Sequence, residues 1–211
     1  MVQTILAQNV NLRDLINKFG LQFVENLQFF PEWQENLPEL TDSEKQQLDK
    51  VKAGYINLLN YPPLLEDVVK MSVLDPILFI GDFYLAPFYV KAEQSVTIIS
   101  EDEEVIVTGR LDVLVLTDQF WVMAIESKKF DFSIEAGRAQ ILAYYMLGNP
   151  HPERPSFGMI TTGGSFIFLK LVKGERPQYG LSKTFATLNP GNELYEVLRI
   201  LKRLCQLVIN N

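Results

Sequence analysis

Val105-Ile106-Val107-Thr108-Gly109-Arg110-Leu111-Asp112-Val113-Leu114-Val115-Leu116, a polar break at Thr117-Asp118-Gln119, and Phe120-Trp121-Val122-Met123-Ala124-Ile125-Glu126-Ser127-Lys128 form the stretch that decides the fold. Both apolar runs are short, rich in β-branched and aromatic residues, and bounded by turn-forming residues, so they read as two strands of a buried hairpin. Three charged residues, Asp112, Glu126 and Lys128, stand where apolar ones belong. Side chains alternate across a strand, so Glu126 and Lys128 share a face, and Asp112 can join them from the neighbouring strand. The expectation is two carboxylates and an ammonium converging at one edge of a largely apolar sheet.

Buried charge is costly unless it is paired or bound to a metal, so such a cluster requires a cause. One cause is a divalent-metal site, in which Asp112 and Glu126 supply hard oxygen ligands and a backbone carbonyl near Ser127 adds a third. Lys128 then orients the attacking water and offsets charge building on a phosphate. The other is an Asp-Lys or Glu-Lys ion pair at the sheet edge with the third charge solvated. Glu and Lys at about 6% each would place a Glu-x-Lys triplet in a chain of this size roughly once by chance. The weight therefore falls on its position, after two apolar strands and before a helix.

Asp112, then Glu126-Ser127-Lys128 closing the next strand, then Gln140-Ile141-Leu142-Ala143-Tyr144 in the following helix, resemble the PD-(D/E)XK nuclease superfamily. The Gln-x-x-x-Tyr element is similar to that of RecB-type nucleases and of the nuclease domains of type I restriction enzyme R subunits. The family's first motif is a Glu on the helix before the sheet, for which Glu66 is the candidate. The resemblance spans roughly Pro62 to Val172, with Leu111 rather than Pro before Asp112. It implies a restriction-endonuclease-like α/β fold. It also implies a site in which Asp112, Glu126 and Glu66 hold Mg2+, with Mn2+ a possible substitute, Lys128 serves the nucleophile, and Gln140 assists. Arg110, Lys129, Arg138 and Tyr144 are the accompanying candidates for nucleic-acid contact.

The 211 residues suffice for one domain with decorations, burying roughly 70% of the unfolded surface. At 47% hydrophobic the chain is no candidate for disorder, and no stretch approaches the roughly 20 uncharged apolar residues of a membrane span. Met1 to Ala7 lacks the basic region and apolar length of a signal peptide, so a cytoplasmic location is expected. A single cysteine, Cys205, and a single histidine, His151, provide neither a disulfide nor a zinc cluster, so any metal must be held by oxygens. Nineteen basic against 26 acidic residues give a net charge of -7, so DNA would be met through a local patch or a partner. Basic residues gather at Arg110, Lys128, Lys129 and Arg138, and again at Lys170, Lys173 and Arg176; ordinary solvated surface is the competing reading.

Along the chain, Val10 to about Leu27 reads as helical, with Leu12, Leu15, Ile16 and Phe19 on one stripe and Gly20 placed to end a first helix before Leu21-Gln22-Phe23-Val24. Phe29-Phe30-Pro31-Glu32-Trp33 reads as a packed turn fastening the N-terminal arm, or as a patch for a partner or second copy. Thr41-Asp42-Ser43-Glu44 is a capping box opening a helix to about Leu59, which Tyr61-Pro62-Pro63 stops. A second helix is expected from about Leu64 to Val73. On it Glu66 either pairs with Lys70 four residues on or faces the metal cleft. Ser100 to Glu104 is an acidic hairpin tip, and Ser133 to about Leu147 a helix. Thr162-Gly163-Gly164-Ser165 turns a hairpin, Lys173 to Gly180 is a polar loop, and Glu193 to Ile209 is a last amphipathic helix.

The expected architecture is a central mixed sheet of four or more strands from about Phe83 to Val172, flanked by helices. An N-terminal helical and aromatic arm over residues 1–40 precedes a nuclease-like domain over 41–211. The expected function is a Mg2+-dependent DNA endonuclease similar to the nuclease part of type I restriction R subunits; a catalytically silent assembly module on the same fold is the alternative. DNA, a helicase or other restriction or repair subunit, and a second copy forming a homodimer are the expected partners, with no membrane. No Gly-x-x-x-x-Gly-Lys-Ser/Thr loop is present, so the chain carries no helicase motor of its own.

Overall fold

The computed structural model describes residues 3–6, 10–62, 65–100, 105–117, 121–127, 137–143 and 153–209, and only the backbone of 3–6, 94–100, 105–111, 121–124 and 126–127. Helix α1 (Leu12–Phe19) opens on Asn11, whose side chain and that of Asp14 cap each other's backbone N–H, and closes on Gly20 at φ 65°. Only glycine takes that left-handed turn without cost, so the helix ends there; the helical pattern expected onward to about Leu27 is not realised, because Gln22 and Phe23 pair as a strand with Gln178 and Tyr179. Phe29 and Trp33 lie in two short 3-10 turns, and Phe30 between them is buried against Phe157.

Helix α2 (Asp42–Leu59) starts on the expected box: Glu44 N–H donates to Thr41 Oγ1 at 3.2 Å, while Thr41 N–H donates to Glu44 Oε2 at 2.6 Å. The next helix overruns its expected end. α3 (Glu66–Val69) passes through a π-helical turn (Lys70–Leu74) into α4 (Asp75–Ile80). Asp75 N–H reaches back to Lys70 O, so the turn takes one residue more than an α-turn and the chain accommodates Pro76 without breaking.

The sheet is mixed and wider than the sequence predicts, with nine strands among the described residues. They are β1 (Gln3–Leu6), β2 (Gln22–Phe23), β3 (Tyr89–Ser100), β4 (Val105–Leu116), β5 (Trp121–Ser127), β6 (Ser156–Thr161), β7 (Ser165–Val172), β8 (Gln178–Leu181) and β9 (Phe185–Ala186). The order is β1-β4-β5-β6-β7-β8-β2, with β3 on β4 and β9 on β7. Part of the segment expected as a polar loop is thus a strand, because β8 finds backbone partners along β7. The first residues of the chain contribute β1, parallel to β4, and β2, parallel to β8. Antiparallel pairing runs to Ser100↔Val105, so 101–104 joins two strands; that acidic tip itself lies outside the described residues.

Helices cover both faces of the sheet. Val113, Val115, Ile125, Met159, Phe166 and Phe168 point into one core with α2, α4 and α6 (Leu194–Ile209), while Leu114, Leu116, Ile160, Leu169 and Leu171 point into another with α1 and α5 (137–143). This alternation explains why β4 is apolar at successive positions: each face has its own helical cover. β5 and β6 are parallel, and α5 lies in the connection between them. No helix among the described residues is long and apolar enough to cross a membrane.

Candidate functional site

The site begins where β4 changes partners. Along one edge its first residues, Val105 to Thr108, pair with β1, and its last, Val113 to Leu116, pair with β5. Asp112 stands at this fork, the kind of place where strands diverge and an α/β sheet opens a crevice at its edge. The antiparallel pairing of β4 with β5 ends at Val113↔Ile125, and Asp112 and Glu126 are the next residues on the two strands. The two carboxylate-bearing residues therefore belong to adjacent strands, each one position beyond the last β4–β5 pair. The Glu126 side chain, Lys128, Lys129 and Tyr144 lie outside the described residues, as does the Arg110 side chain.

Glu66 joins Asp112 through a residue that the sequence pointed to only as a local partner. Lys70 Nζ lies 2.9 Å from Glu66 Oε1 and 3.7 Å from Asp112 Oδ1, with the side chains of Lys70 and Asp112 17% and 16% exposed. The pair of Glu66 with Lys70 is present, and the same ammonium also reaches Asp112, so that it is shared between a helix carboxylate and a strand carboxylate. Burial alone would lower the Lys70 pKa. The hydrogen bond from Lys70 to Glu66 and the charges of Asp112, Glu66 and Asp67 outweigh it and hold the pKa above its ordinary value. One turn on, burial raises the carboxyl of Asp75 against the opposing pull of a Tyr84 hydrogen bond and the Lys70 charge.

Across β4 from β5, Glu93 sits between Ala92 and Gln94, which pair with Val113 and Leu111, and it adopts φ 52°. A left-handed glutamate inside a strand is uncommon and costs on the order of 1 kcal/mol or more. Neither Glu93 nor Lys70 was among the expected site residues, since no glycine or asparagine marks the first and a local helix pair accounts for the second. Gln140 is half-buried on α5, whose Ile141, Leu142 and Ala143 are buried in the core shared with Leu114. Arg138 is half-buried near Tyr179, whose hydroxyl is raised by burial and lowered in part by that guanidinium. Lys170 leaves the expected basic gathering altogether: it is buried and bonded to Glu32 at 2.5 Å.

Two carboxylates from separate elements already share one cation, and β5 carries a third carboxylate residue, Glu126, one position beyond its last pair with β4. Such an all-oxygen donor set fits a hard divalent cation such as Mg2+ or Mn2+ better than a soft one. Among the described residues no group of three or more Asp, Glu, His or Cys is arranged to hold a metal, and the Glu126 side chain is not among them. The chain matches no protein-family model and no curated protein.

Proposed function

We propose that the chain is a Mg2+-dependent nuclease of the PD-(D/E)XK kind, hydrolysing DNA phosphodiester bonds. One observation carries this reading. Glu66 on the helix before β3 and Asp112 on β4 share a single cation, and Glu126 lies on β5, one position beyond its last pair with β4. These three are the positions that the resemblance nominates as metal ligands, and Glu66 comes from an element far from the other two in sequence.

On this reading Asp112, Glu126 and Glu66 would hold the metal, which when bound supplies Lewis-acid activation of the phosphate and of a water. Lys128 would hold the attacking water and offset charge on the phosphate oxygens. Gln140, on the helix after the Glu-x-Lys strand, would orient the scissile backbone. DNA is met through a local patch to which Arg110 and Lys129 belong, because the overall charge of -7 opposes a general attraction to phosphate. A helicase or another restriction or repair subunit would deliver the substrate, and a dimer would cut both strands.

The test is cleavage of plasmid and single-stranded DNA with and without Mg2+, set beside Lys128→Ala and Asp112→Ala variants. Metal-dependent cutting lost in both variants supports the assignment. Cutting equal to that of the variants leaves the fold as an assembly module, the role its acidic balance favours.

A further inference from the structure

Lys70 is positioned unlike an ordinary surface partner of Glu66. Its ammonium lies between Glu66 and Asp112, its side chain is 17% exposed, and Asp67 adds a third nearby negative charge. It projects from the first residue of the π-helical turn (Lys70–Leu74), in a helix whose Val69 is fully buried beneath it. That turn is fixed from below as well: Gly163, at the tip of the β6–β7 hairpin, approaches so closely that an added Cβ would lie 2.7 Å from Val69 Cγ1. The ammonium is thus delivered to the acids by rigid packing, not by a freely waving chain. Extra-residue helical turns of this type recur at functional sites.

We infer that Lys70 is the resident counter-ion of the candidate metal site, a positioning residue that holds Glu66 and Asp112 together without metal and that a divalent cation must displace. The inference rests on the nuclease reading for the identity of the ligands. Two carboxylates brought to one point repel each other unless a cation lies between them. A lysine supplies that cation permanently, so the fold is assembled before metal arrives. Mg2+ then gains only the difference between its own interaction and that of the ammonium it replaces, which weakens apparent affinity and makes occupancy depend on metal concentration.

The experiment is calorimetric titration of Mg2+ and of Mn2+, with parallel thermal melts and no DNA present, on the parent chain, Lys70→Met and Lys70→Arg. Methionine keeps the unbranched stem, one atom shorter, and removes the charge. The expected result for Lys70→Met is a lower melting temperature without metal, a larger rise on adding Mg2+, and about tenfold tighter metal binding. Lys70→Arg restores the parental response. A Lys70→Met chain that folds only with Mg2+ is the extreme of the same result. Equal metal affinity in parent and Lys70→Met overturns the inference, as does a Lys70→Met chain that is unfolded both with and without metal. A parent that shows no response to either metal removes the metal reading itself, a different outcome from a parent that responds identically to its variant.

Discussion

Glu32→Gln should be among the more damaging single substitutions outside the apolar cores. Glu32 lies on the 3-10 turn Pro31–Trp33 and its Oε1 accepts from Lys170 Nζ at 2.5 Å, with the two side chains only 19% and 11% exposed. The ammonium also lies 5.6 Å from the centre of the Phe29 ring. At an effective dielectric of about 20, unit charges at this separation attract by roughly 6 to 7 kcal/mol before desolvation is counted, and desolvation of both ions removes most of that. Removing one partner leaves the other charge buried, which costs about 3 to 5 kcal/mol at a fully closed site. Here a tenth to a fifth of each side chain still meets water and lysine can re-aim its head, so the expected loss is about 2 to 3 kcal/mol. That corresponds to a fall of about 5 to 10 °C in melting temperature for a chain of this size. The double substitution Glu32→Leu with Lys170→Met should stay within about 1 kcal/mol of the parent, because Glu32 Oε2 is itself buried without a hydrogen-bond partner and its removal is a gain. Urea unfolding followed by tryptophan fluorescence and by far-ultraviolet circular dichroism measures both numbers, and coincident curves show that the N-terminal turn unfolds with the sheet. A single-variant loss below about 0.5 kcal/mol, or a double variant as poor as the sum of the singles, would refute the reasoning.

Two further outcomes concern elements around the site. Glu44 resists ionisation through burial, but its bonds from Lys202 and from the Thr41 N–H and hydroxyl dominate and lower its pKa below the ordinary 4.5. A lowered folded value means stability that is present above about pH 4.5 and is lost as pH falls through the folded value, so Glu44→Ala should cost about 1 to 2 kcal/mol at pH 7 and much less near pH 3, in urea melts at the two pH values. Gly163→Ala places a Cβ at φ 74° and 2.7 Å from Val69 Cγ1 and should cost about 2 kcal/mol or more, whereas Gly174→Ala, at φ 42° with its nearest neighbour at 3.7 Å, should cost about 1; equal losses would show that the close approach to Val69 is not felt.

What the sequence discloses here is local. The Thr41 and Glu44 box, the Gly20 stop and the Thr162-Gly163-Gly164-Ser165 turn are each written within four residues, and each appears as read. The antiparallel pairing of the two strands that carry Asp112 and Glu126 needs only a short connection between two apolar runs, so it too was legible. What stayed hidden depends on partners far away in the chain. Gln3–Leu6 and Gln22–Phe23 are strands only because β4 and β8 offer edges to them, and Gln178–Leu181, with a glycine inside, has little strand preference apart from β7. The helix expected to end at Val73 instead continues through a π-helical turn into Asp75–Ile80. Lys70 is the instructive case. Its spacing from Glu66 disclosed the helix pair, whereas its contact with Asp112 exists only once α3 is packed near the fork of β4.

The account stands on Glu66, Asp112 and Glu126 forming one cation site, and Mn2+ diffused into crystals, located by its anomalous scattering, addresses that directly. The expected result is a single strong peak about 2.0 to 2.3 Å from Asp112 and Glu126 carboxylate oxygens, with Glu66 direct or through water, Lys70 Nζ displaced, and a melting rise of about 5 to 10 °C at about 100 times the dissociation constant. A Lys70 ammonium still bonded to Glu66 and Asp112 at saturating Mn2+, with no peak between the acids, would contradict it.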